Sequence, residues 1–172
     1  MNDAVVSWLN GLSVGAARQQ FAKCCGASWW CDQMVEARPF VNAAALQAAS
    51  DLAFDAMPRK AWLEAFGSHP KIGDLNSLRM RLAGNKQWSE GEQAGVLASN
   101  EVTLQGLADS NHKYEQRFGY LFIICASGLT ASEMLAALET RLPNDATTEL
   151  GKASAEQRKI TRLRLDKLAG PD

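Results

Sequence analysis

At 172 residues, 47% of them hydrophobic and 22% charged, with a formal net charge of -1, the chain has the makeup of a single globular domain spanning 1–172, able to bury ~70% of the surface its unfolded form exposes. Near-neutral charge with scattered basic residues excludes the electrostatic footprint of a nucleic-acid binder. Apolar runs far shorter than the roughly 20 residues of a bilayer span exclude a membrane helix.

In chain order, apolar residues at helical spacing predict helices at about 3–10, 14–24, 28–37, 41–55, 58–67, 89–99, 101–117, 119–126, 131–142 and 146–168. Pro39 and Pro58 punctuate the early ones. The stretch 74–87 has no clear period and is expected to be a loop. In "TASEMLAALETRL", Thr130 and Glu133 form a capping box, Met134, Leu135, Leu138 and Leu142 make one face, and Pro143 ends the helix. No stretch alternates at period two long enough for a strand, so the fold class is all-α: a bundle of eight to ten helices without a sheet. The basic cluster from Arg158 to Lys167 is interrupted by Ile160, Leu163 and Leu165 and reads as an amphipathic helix. Cys24, Cys25, Cys31 and Cys125 follow neither a zinc spacing nor a secreted disulfide pattern, as expected of reduced, buried thiols. The start, "MNDAVVSWLNGL", lacks a basic n-region and the end, "KLAGPD", matches no retention or peroxisomal address, so the expected location is the cytoplasm.

Three polar positions carry the functional reading. His69, in "GSHPKIGD", precedes a proline that restricts it to extended geometry, and Gly67 and Gly73 free the backbone on either side. Its near-neutral pKa suits proton transfer, although a helix-terminating histidine bonded to a carbonyl would look the same. In "WSEGEQAGVL", Ser89 and Glu92 form a helix-start capping box, which accounts for both without chemistry. Gln93 falls on the stripe of Val96 and Leu97, where a buried amide needs partners. Winding the last helix puts Leu150, Ala153, Ile160, Leu163 and Leu168 on one side with Arg164, and Arg158 and Arg162 opposite. A guanidinium on a buried face should meet an anion, either an internal carboxylate or a substrate carboxylate. His112 lies off its apolar stripe and reads as surface. The dense apolar block in "YEQRFGYLFIICASG" could be core or pocket wall.

Together, "FAKCCGASWWCDQMVEARPF", "GSHPKIGD", "WSEGEQAGVL", "YEQRFGYLFIICASG" and "KITRLRLDKL" occur in the order seen in the OHCU (2-oxo-4-hydroxy-4-carboxy-5-ureidoimidazoline) decarboxylases of uric acid degradation. The chain resembles that family from about residue 14 to 168. The resemblance implies a helical fold peculiar to the family, a homodimer, and conversion of OHCU to (S)-allantoin and CO2. It implies His69 and Glu92 as catalytic residues. Pro70, the segment Ser89, Glu90, Gly91, Glu92 and Gln93, the strip Phe122, Ile123, Ile124, Cys125 and Ala126, and Arg164 would bind substrate. The span between His69 and Glu92 is longer here than in some relatives. The implied substrate carries a carboxylate beside a C=N bond, which accepts the electrons as CO2 leaves. No metal or other cofactor is expected, and no nucleic-acid or membrane partner. The rival class is a non-catalytic helical module that binds a ureide or a protein.

Overall fold

The computed structural model describes residues 3–69 and 90–170; within the helix that begins at 90, side chains are described from 101 onward. The described residues form eight helices and no strand: α1 Asp3–Gly11, α2 Val14–Ala22, α3 Ser28–Glu36, α4 Ala43–Asp55, α5 Arg59–Gly67, α6 Glu90–Phe118, α7 Ala131–Arg141 and α8 Ala146–Asp166. The expected loop at 74–87 lies outside the described residues. The chain divides into two compact units, Met1–His69 with Ser154–Asp172, and Pro70–Ala153.

The first unit is built by short helices with clear boundaries. Ser13 caps α2 by accepting the Ala16 N–H, and Asn42 caps α4 by accepting that of Ala45 at 2.8 Å. Pro58 opens α5, where its missing N–H costs nothing. Arg38 follows α3 and donates Nη1 to the Leu9 and Leu12 carbonyls, both at 2.8 Å, tying the end of α1 to the end of α3. The core is aromatic. Trp30 of α3 stacks on Phe54 of α4 with centroids 5.6 Å apart, and Phe54 stacks on Trp62 of α5 at 5.2 Å. Phe66, one turn further along α5, is fully buried and continues the row. Arg158 of α8 covers Phe54 and Trp62 while pairing with Asp55 at 2.7 Å, so its stem and plane pack even as its charge stays near solvent.

In the second unit α6 and α7 pack closely enough that a Cβ on Gly106 would meet Leu135 Cδ2 at 3.2 Å. The Thr130–Glu133 capping box forms in full. Two expectations fail. The two helices expected over 89–99 and 101–117 are one helix, because Asn100 at the boundary costs a helix interior only about 0.7 kcal/mol relative to alanine. The helix expected over 119–126 does not form. Gly119, at φ +78°, ends α6 by donating its N–H to the Glu115 carbonyl at 2.8 Å, and the apolar run beyond it takes no regular secondary structure. Aromatic and β-branched residues fill that run, and periodicity cannot separate such a stretch from a short buried helix.

Candidate active site

His69 stands two residues beyond the end of α5, whose last turn is fixed from two directions. The Glu64 carboxylate reaches the start of α3 and accepts from the Ser28 N–H at 3.1 Å and the Ser28 hydroxyl at 2.7 Å. It thereby caps a helix whose own N-cap, Ala27, has no side-chain acceptor. Gly26, in the connection before α3, faces Ser68 so closely that a Cβ there would lie 2.2 Å from Ser68 Cβ. The absence of that one carbon lets the residue before His69 seat against the α2–α3 connection.

The His69 ring reaches α8, where its Nε2 lies 2.7 Å from Gln157 Oε1. Gln157 is fully buried and places its Nε2 3.2 Å from the Thr161 hydroxyl, one turn along. Thr161, also fully buried, lies 3.5 Å from the Cys24 carbonyl. Arg164 donates Nη1 to that same carbonyl at 3.1 Å. A continuous chain thus runs from His69 through Gln157 and Thr161 to one backbone oxygen, on which Arg164 also ends. Burial lowers the His69 pKa from 6.5; the Gln157 hydrogen bond opposes this and the Arg164 charge adds to it. The ring is therefore neutral at pH 7.

Arg164 is half-buried, as the helical winding of its sequence indicated, but its partner among the described residues is a carbonyl and not an internal carboxylate. Among the described residues its guanidinium makes no other hydrogen bond beside that one. Arg162 is exposed, 3.8 Å from Asp51, and His112 is exposed. Leu163, placed inward by the winding, is 38% exposed. The buried stripe of α8 runs through Glu149, Ala153, Gln157, Thr161 and Leu165, and three of these five are polar. An apolar search passes over them; the i, i+4 spacing of Gln157 and Thr161 on one face is the signal that could have found them.

Cys24, Cys25 and Cys31 are buried, and burial pushes their pKa values up to about 12, 11 and 12, so these thiols stay protonated. Cys125 is partly exposed.

The strip 122–126 belongs to the second unit. Phe122 and Ile123 are buried, Ile124 and Cys125 half-buried, and Ala126 exposed. Its register is set by Arg141, which donates Nη1 to the Ile123 carbonyl at 2.8 Å and lies 4.5 Å over the Phe122 ring. Arg141 is held in turn by the fully buried Glu149, through Nε at 2.9 Å and Nη2 at 2.5 Å. Asn144 and the Tyr114 hydroxyl also donate to Glu149, so every recorded partner of this buried carboxylate is a donor. Tyr114, Arg141, Asn144 and Glu149 were not singled out from the sequence. Pro70 and Ser89 lie outside the described residues, as do the side chains of Glu90, Glu92 and Gln93 and the surroundings of Gly91.

Residues 10–166 match the family model for OHCU decarboxylase. The chain is 38% identical over 158 residues to the uric acid degradation bifunctional protein TTL of Arabidopsis thaliana, covering 91% of this chain and 48% of that protein, so it spans about half of that relative's length. It is 30% identical over 128 residues to the 2-oxo-4-hydroxy-4-carboxy-5-ureidoimidazoline decarboxylase of Amia calva, covering 74% of this chain and 73% of that one. Its structure is similar to a crystal structure of OHCU decarboxylase in the presence of (S)-allantoin, with a TM-score of 0.66, 37% sequence identity, and coverage of 86% of this chain and 95% of that one.

Proposed function

Because the chain belongs to the OHCU decarboxylase family, we propose that it removes CO2 from 2-oxo-4-hydroxy-4-carboxy-5-ureidoimidazoline to give (S)-allantoin in uric acid degradation. The observation that carries this reading is the pairing of a neutral, proline-preceding imidazole with a guanidinium through one buried hydrogen-bonded chain. One group can move a proton and the other can grip a carboxylate, which are the two tasks the reaction sets.

In the proposed reaction the C–CO2 bond breaks and its electron pair enters the adjoining C=N, so the substrate is its own electron sink and no cofactor takes part. The nitrogen that receives the displaced C=N pair takes up one proton; His69 then takes the hydroxyl proton as the carbonyl forms and the former imine carbon takes up a proton, with Glu92 as the second proton-transfer group. Arg164, Pro70 and the Ser89–Gln93 segment orient the carboxylate, ring and ureido groups. The strip Phe122–Ala126 borders the ring and keeps bulk water from the intermediate, so that hydrogen is delivered to one face. The same reading makes the protein one domain over 1–172 and a cytoplasmic homodimer; support comes from the family resemblance and from reduced, buried thiols. No described helix is long and apolar enough to cross a membrane.

The test is enantioselectivity. Urate is oxidised enzymatically in the presence of 5-hydroxyisourate hydrolase, the protein is added, and optical rotation is followed. Rapid appearance of the (S) enantiomer is expected. Racemic allantoin formed at the spontaneous rate would overturn the reading and leave a ureide-binding module.

A further inference from the structure

We propose that Gln157 is a positioning residue that fixes the proton of the His69 ring on Nε2, leaving Nδ1 as the nitrogen available for proton transfer. The catalytic consequence rests on the decarboxylase reading above; the tautomer itself does not.

The direction of the chain follows from the end that has no choice. The Cys24 carbonyl oxygen can only accept. Arg164 donates to it at 3.1 Å, and the Thr161 hydroxyl, with one hydrogen to give, lies 3.5 Å away. With that hydrogen committed to Cys24, the Thr161 oxygen is an acceptor. The Cys25 thiol also contacts this hydroxyl, but burial holds it protonated with a pKa of about 11, so it does not compete for the hydrogen as an anion. The group facing Thr161 at 3.2 Å must then be the Gln157 NH2, which turns Oε1 toward the imidazole. Oε1 only accepts, and at 2.7 Å it demands a hydrogen on His69 Nε2. A flipped amide would aim NH2 at the ring and require Thr161 to withdraw its hydrogen from Cys24. That turn leaves the Cys24 carbonyl to Arg164 alone and the chain with three hydrogen bonds in place of four, a loss that the fully buried Gln157 and Thr161 cannot make up from water. The neutral state of the ring, favoured by its burial, makes the choice between the two nitrogens matter.

The experiment is 15N NMR of histidine-labelled protein. The chain has two histidines, so His69→Asn assigns both rings. In the wild type His69 should show a pyrrole-type Nε2 and a pyridine-type Nδ1. Gln157→Met removes the acceptor and should yield a mixture of tautomers, with kcat lowered about 10²-fold and KM changed less than about threefold. Thr161→Val keeps the side-chain shape, frees the amide to turn, and should also mix the tautomers; it serves if Gln157→Met does not fold by circular dichroism. Gln157→Glu retains an acceptor and should keep Nε2–H. A wild-type ring protonated on Nδ1, or wild-type ring shifts in both Gln157→Met and Thr161→Val, would overturn the inference. Racemic product from a protein whose tautomer follows Gln157 would uphold the inference and sink the decarboxylase reading; (S)-allantoin from a protein with Nδ1–H would do the reverse.

Discussion

A single imidazole held neutral by its surroundings is the smallest unit of the proposed chemistry. His69→Asn keeps a polar group of similar reach and removes the titrating ring. Turnover should fall by about 10²–10⁴-fold while the circular dichroism spectrum is unchanged. Arg164→Met should act differently, because the guanidinium is proposed to bind and not to transfer protons. KM should rise by about 10-fold or more with a smaller change in kcat, as expected when one charge-assisted bond of 1.5–3 kcal/mol is lost. Steady-state kinetics on freshly generated substrate checks both. His69 and Arg164 were legible as residues because each combines a chemically capable side chain with an unusual setting, a proline or an apolar arc. Gln157 and Thr161 were not, since their i, i+4 spacing is shared by many exposed polar pairs and gains meaning only from partners across the fold.

At the scale of elements, the ring is aimed by how α5 ends. Glu64 binds the start of α3, and Gly26 admits Ser68, so the turn carrying His69 is docked to the α2–α3 connection. Gly26→Ala should force a shift costing about 1–3 kcal/mol and also lower kcat, because displacement of Ser68 moves its neighbour. Adding Ser68→Gly should recover most of both, as read by urea unfolding and turnover. The helices themselves were largely legible: all eight described begin within two residues of where capping residues and apolar spacing put them, α6 among them, one residue after the start expected for the helix over 89–99. What the sequence concealed was the irregular strip after Gly119. Its apolar letters satisfy a helix or a strand equally, and the arginine that settles the matter by binding the Ile123 carbonyl lies 18 residues further on.

At the scale of the whole molecule, these local preferences set how stability responds to acid. The folded-state pKa of His69 lies below 6.5, so between those values the unfolded chain binds the proton more readily. Stability from this group is complete above pH 6.5 and is lost as pH falls through the lower folded value. Glu133 and Asp145, lowered from 4.5 and 3.8 by hydrogen bonds to Thr130 and Thr148, add stability above those values that is lost as pH falls through their depressed ones. Urea denaturation against pH should therefore show an upper arm beginning near 6.5 and a lower one near the carboxylates, and His69→Asn should flatten only the upper arm. One further property follows from the order of residues along the chain. The bond from Arg164 to the Cys24 carbonyl joins residues 140 positions apart, and His69 meets Gln157 across 88. A ribosome has therefore released the histidine into solution well before it makes the helix that orients it. Nascent or prematurely stopped copies lacking α8 would carry the imidazole with neither its amide nor its guanidinium companion, so the cluster is assembled only once α8 has been made.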